Sequence, residues 1–352
     1  MARALGEHRD LVLLRPARAD REEPRSLREG LHRGRHRAVR PLDFLHASRR
    51  LAAAPRARRG RSLPGRGPLP AGGGRERREA LLNQEGPTDA PLRIFRLDVR
   101  YDGTDFDGWQ VQPGRRTVQG EIEAALARVL QGRVPVIGSG RTDAGVHALR
   151  QPAHFRSRTA LPAWKIERAL RGLLPRDVFV VALAEAEGGF HARRGARCRS
   201  YVYRILRGRD PLLRRTVWEV GFPLDLARME EGAARIAGPI DATSFAASTR
   251  KGMRNEVAVE ASGWREEGSQ ILYEIRANRF VHHMVRTIVG TLVEVGRGVR
   301  SPDSIPALLA ARDRRLAGPT APARGLYLAD VAYVSAGRAE PRPEGETDEV
   351  LP

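Results

Sequence analysis

The sequence predicts an α+β protein whose ordered part is two similar halves packed together with a cleft between them. Three observations lead there. From Pro91 onward the apolar residues switch between a period of two and a period near 3.6, so strands and helices take turns. The first run places them in the order β-α-β-β-α-β, and the second run repeats that order less cleanly. The 90 residues before Pro91 show no such periodicity.

The elements follow in order. Leu92 to Tyr101 alternates apolar with charged residues, as a half-buried strand does. Thr117 caps a helix whose apolar face is Val118, Ile122, Leu126, Val129 and Leu130. Val134 to Ile137 and Gln151 to Phe155 are short strands, and Pro162 opens a helix with Ile166, Leu170 and Leu173 on one side. Val178 to Leu183 closes the first half, which has the split β-α-β plan of ferredoxin-like domains. In the second half Arg197 to Leu206 alternates as a strand, and Asp225 caps a helix reaching Ile236. Val257 to Ser262 and Ile271 to Ala277 pair around a turn at Glu267-Gly268. Phe280 to Val295 is a long amphipathic helix, Ser301-Pro302 opens another, and Leu326 to Val334 ends the half as a strand. The expected organisation is a disordered Arg-rich extension over 1–90, an N-terminal half over 91–189, a C-terminal half over 190–335, and a disordered tail over 336–352.

Hydrophobic residues make up 41% of the 352, enough for a sizeable core, and the formal net charge is +20. Such an excess points to a polyanionic partner, nucleic acid before acidic membrane. Only Lys165 and Lys251 are lysines; an arginine-, alanine-, glycine- and proline-heavy chain also reflects a GC-rich genome. Residues 1–90 hold 21 Arg and 11 acidic residues, half of the net charge (21 − 11 = +10). That extension reads as inert or as a mis-assigned start, as an RNA-binding arm, or as a targeting peptide, the last disfavoured by its acidic residues. Cys198 is the single cysteine, which excludes an internal disulfide and a cysteine-based zinc site. No apolar run approaches the roughly 20 residues of a membrane span, and a soluble cytoplasmic protein is expected.

The densest local signal is the run Gly138-Ser139-Gly140-Arg141-Thr142-Asp143-Ala144-Gly145-Val146-His147-Ala148. A strand enters three glycines within eight residues, which permits positive φ and close approach of another chain. Asp143 on such a loop is either a turn residue bonding its own backbone or a reactive carboxylate two residues from an arginine. A phosphate-binding loop is excluded, since the Walker lysine and its spacing are missing. His147, His154, His191, His282 and His283 complete no HExxH or carboxylate-finished pattern, so no metal is expected. His282 and Arg286 stand four apart on the long helix and are expected to share a face, turned either toward phosphate or simply to solvent.

Arg141 to Ala148 resembles the catalytic motif of the tRNA pseudouridine synthase A family. So do Tyr101-Asp102-Gly103-Thr104 with Phe106 and Gly108-Trp109-Gln110, Thr117-Val118-Gln119, Phe190-His191-Ala192-Arg193, Tyr201-Val202-Tyr203, Asn278 to Arg286 with Gly290, and Pro322 to Leu328. The matches run in order from about Leu92 to Tyr333. One stretch departs: where the family has an aromatic-rich Gly-His-Asp-Phe segment, this chain has Gly238 to Ala242 followed by Thr243-Ser244-Phe245. The resemblance implies the pseudouridine synthase fold and isomerisation of uridine at positions 38, 39 and 40 of the tRNA anticodon stem-loop. It implies Asp143 as the catalytic carboxylate, Arg141 as the arginine paired with it, and Tyr201 as the ring stacked on a flipped uracil. It further implies a homodimer and no cofactor. A non-catalytic RNA-binding protein built from ferredoxin-like halves is the alternative, and it makes no use of Asp143.

Overall fold

A computed structural model describes residues 91–248 and 254–333. The disorder expected over 1–90 and 336–352 lies outside the described residues. The elements are β1 (Arg93–Tyr101), α1 (Val118–Leu130), β2 (Val136–Gly138), β3 (His147–Ser157), α2 (Ala163–Leu173), β4 (Val178–Glu185), β5 (Ala196–Arg207), β6 (Trp218–Val220), α3 (Leu226–Ala234), β7 (Gly238–Asp241), β8 (Glu256–Glu267), β9 (Gln270–Ala277), α4 (Met284–Gly296), α5 (Ser304–Ala311) and β10 (Leu326–Tyr333).

The strands form one sheet in the order β4-β1-β3-β10-β5-β9-β8-β7, with β2 on β3 and β6 on β5. Hidden in that order is a repeat. The first half contributes β4-β1-β3-β2 and the second β10-β5-β9-β8, so each half runs fourth, first, third, second strand of its own β-α-β-β-α-β series. Within each series the pairings are antiparallel, as the split plan requires. The halves join where β3 meets β10, a parallel contact of two registered pairs, Tyr327 with His147 and Leu328 with Ala148. This is the α+β arrangement of two ferredoxin-like halves that the element order predicts.

Burial of apolar side chains holds the layers, each large residue contributing roughly 1.5–3 kcal/mol. Ile122, Leu126, Ile166 and Leu170 from α1 and α2 are fully buried, as are Met229, Ile288 and Leu292 from α3 and α4. Phe95 and Phe155 stack across β1 and β3 with centroids 5.0 Å apart. Thr117 caps α1 as expected, its side chain accepting from the Gly120 N–H.

Several expected boundaries move. β3 starts at His147, not Gln151, because its first residues pair with β10, a partner far along the chain. The long helix begins at Met284, not Phe280, since His283 takes φ 62° and turns the chain before the first helical residue. β6 and β7, of three and four residues, are too short to carry a readable period. Gly290 lets α4 lie against the loop before β10: a Cβ there would stand 1.7 Å from the Pro319 carbonyl oxygen.

Candidate active site

The loop from Ser139 to Val146 is fixed from both sides. Ser139 Oγ bonds Gln151 Oε1, and Gln151 Nε2 donates to the Gly140 carbonyl. Tyr101 and Thr142 share a hydroxyl hydrogen bond of 2.8 Å, while the Trp109 N–H donates to the Thr142 carbonyl. Gly108 makes that approach possible with φ +89° and a Thr142 carbonyl where a Cβ would sit. After the acid, the Val146 N–H donates back to the Asp143 carbonyl and the Gly145 N–H to Phe106. The Asp143 backbone is held, and its side chain is 27% exposed.

Three basic side chains meet that carboxylate. Arg286 Nη1 lies 3.5 Å and His283 Nε2 3.4 Å from Oδ2, and His282 Nε2 lies 3.6 Å from Oδ1. Arg286 is only 15% exposed, and its Nε donates to the Ala321 carbonyl at 2.8 Å, which aims the rest of the guanidinium at the acid. Burial lowers the His283 pKa against the opposing pull of Asp143. His282, 54% exposed, stands at the rim.

Tyr201, on β5, is 8% exposed and packs edge-on against Phe280 with centroids 4.8 Å apart. Burial pushes its phenol up to about 12, with Asp143 adding to the rise. The hydroxyl therefore keeps its proton at neutral pH, beside the acid. Tyr203, two residues on, is fully buried and donates to the Pro322 carbonyl, a packing role. Arg199, on the same strand, donates to the Ser139 and Asn278 carbonyls and so ties the Asp143 loop to the end of β9.

Arg141 is where the geometry departs from the expectation. Its side chain is exposed, its electrostatic neighbour is Arg193, and among the described residues no ion pair joins it to Asp143. The guanidinium facing the acid belongs to Arg286. Helix α4 delivers Arg286 to the acid from across the joint, while Arg141 lies exposed on the loop itself. His282 and Arg286, expected to share a helix face, meet instead at Asp143, because His282 precedes the helix in a turn. His147 is buried and pins the joint. It stacks on Tyr327 at 4.7 Å, its Nδ1 accepts from the Gly103 N–H, and its Nε2 faces the Arg324 carbonyl. Trp109 is a packing anchor, buried against Gly138. Nothing in the chain announced the carbonyl partners of Arg199, which lie far from it in sequence or in the preceding loop.

The site thus offers one anchored carboxylate, one half-buried guanidinium, two imidazoles and a protonated phenol at the seam of the two halves. A family model described as tRNA pseudouridine synthase matches residues 99–193 and 233–334, which include Asp143, His282, His283 and Arg286 and leave Tyr201 in the gap. The tRNA pseudouridine synthase A of Methylococcus capsulatus is 45% identical over 241 residues, covering 67% of this chain and 88% of that protein. That of Moorella thermoacetica is 42% identical over 246 residues, 69% of this chain and all of that protein. That of Exiguobacterium is 40% identical over 242 residues, 69% of this chain and 98% of that protein.

Proposed function

The chain belongs to the tRNA pseudouridine synthase family, and from that premise we propose that it isomerises uridine to pseudouridine in tRNA with Asp143 as the reacting carboxylate. The finer reading is a substrate uridine in the anticodon stem-loop at positions 38, 39 and 40, a homodimer on which one tRNA spans both subunits, and a cytoplasmic location. The observation that carries it is the Asp143 side chain, anchored by its loop, partly exposed, faced by Arg286, and near enough to Tyr201 to raise its pKa.

The chemistry exchanges one glycosidic bond for another. The N1–C1′ bond breaks, uracil turns, C5 bonds to C1′, the C5 proton leaves and N1 takes a proton. Nothing is oxidised or reduced, and a carboxylate supplies the covalent or charge-stabilising partner for the ribose while the base is detached. A uridine inside a stacked stem offers none of these atoms, so it swings out into the site. Tyr201 offers its ring to the displaced uracil and keeps its hydroxyl proton. Arg286 stands against the charge that Asp143 gains and loses. Arg141, exposed on the same loop, fits a contact to the displaced nucleotide or its phosphate better than a role as counter-ion.

The test is Asp143→Asn incubated with unmodified tRNA transcript, read as pseudouridine formed at each anticodon-arm position. Turnover falls by about 10⁴-fold while tRNA still binds. Retained turnover removes Asp143 from the chemistry. Binding without turnover in the parent protein supports instead a non-catalytic RNA-binding role.

A further inference from the structure

Asp143, His282 and His283 each place one ligand atom within 4.8 Å of the other two. The separations are informative. The imidazole nitrogens stand 3.4 and 3.6 Å from the carboxylate oxygens, beyond the roughly 2.7–2.9 Å of a charge-assisted N–H···O bond. Two ligands on one tetrahedral ion with bonds of roughly 2.0–2.2 Å stand about 3.4 Å apart. The pairs therefore sit near the spacing that co-ligands of one ion take. The two imidazole rings lie side by side, centroids 4.0 Å apart, so both nitrogens reach the same carboxylate.

The donor chemistry selects the ion. Two imidazoles and one carboxylate, with a fourth position open to water, suit zinc and its neighbours, whereas magnesium and calcium prefer all-oxygen sets. The supports are firm: Asp143 sits on the loop anchored at Thr142, Gly145 and Val146, and His283 in the left-handed turn before α4. Arg286, 3.5 Å from Oδ2, opposes a second positive charge and keeps the affinity below that of a structural site.

We propose that Asp143, His282 and His283 form a reversible binding site for a divalent transition-metal ion, zinc foremost, whose occupancy competes with tRNA for the carboxylate. Binding is ligand exchange alone: water leaves the ion and three side chains replace it. The inhibitory consequence rests on the reading of Asp143 given above; the site itself does not.

Cobalt(II) titrated into the full chain, read by its visible absorption and displaced by zinc, reports the site without any assay of turnover. The parent protein gives the intense bands of a four-coordinate ion, and His283→Asn, which suits a left-handed backbone, weakens cobalt binding about tenfold or more. His282→Gln does the same and Asp143→Asn abolishes the bands. Zinc then slows pseudouridine formation, and a chelator restores it. Residues 1–90 carry His8, His32, His36 and His46, so the assignment rests on the difference between variants and parent. Equal binding by parent and all three variants overturns the site and marks the ion as adventitious, whatever the activity of Asp143→Asn. Cobalt binding that needs Asp143 in a variant that still turns over would keep the site and overturn the catalytic reading.

Discussion

Asp143 and Arg286 come from opposite halves of the molecule, and the Asp143 loop offers its other arginine, Arg141, to solvent. In the proposed reaction these two arginines divide chemistry from binding. There Arg286 faces a charge that changes during reaction, so Arg286→Gln is expected to lower kcat by about 10²–10³-fold with little change in KM. Arg141 in the same proposal touches a ligand held throughout, so Arg141→Gln is expected to raise KM about tenfold and to spare most of kcat. Steady-state kinetics on one tRNA transcript distinguishes them; equal effects of the two variants on kcat would return Arg141 to the side of the acid. The carboxylate was legible because glycines crowd it. Its counter-ion was not, because 142 residues separate Asp143 from Arg286 (286 − 143 = 143 positions apart) and no local period connects them.

Helix α4 is the element on which the site leans. It supplies Arg286 from its first turn and follows the His282-His283 turn, and its far side packs Ile288 and Leu292 into the core. Its placement depends on Gly290, whose missing Cβ admits the Pro319 carbonyl. Gly290→Ala is expected to destabilise by about 1–3 kcal/mol despite the better helix propensity of alanine, because the backbone behind it cannot yield without moving. Chemical denaturation measures the loss; an unchanged or higher midpoint would show that the loop before β10 gives way freely. The amphipathic pattern of α4 was plain in the chain, but its start was not, because a histidine at positive φ leaves no mark on the hydrophobic period.

Across the whole molecule the two halves are tied by more than the β3–β10 contact. His154 on β3 is buried and accepts from the Ala192 N–H, in the segment leading from the first half to the second, while its ring bonds the Ile137 backbone. Burial drives its pKa down to about 4, so the folded protein holds it neutral. Unfolding restores the ordinary value of about 6.5. Between those two pH values the unfolded chain binds the extra proton, so stability is present in full above pH 6.5 and falls as pH drops toward 4. The loss amounts to at most about 3 kcal/mol. Unfolding midpoints recorded from pH 7 to 4 show this slope, and His154→Gln flattens it; a slope that survives the substitution would place the titration elsewhere.

The chain by itself determined the α+β class, the order of the longer strands and helices, the cap at Thr117 and the glycine-bracketed Asp143, because each is written in a local period, a cap or a turn residue. Only the tertiary structure decided that β3 and β10 join the halves, that Arg286 and not Arg141 faces the acid, and that His282 and His283 close on it. Those contacts are made between segments remote in sequence, where burial and sheet register choose the partner and no short-range pattern records the choice.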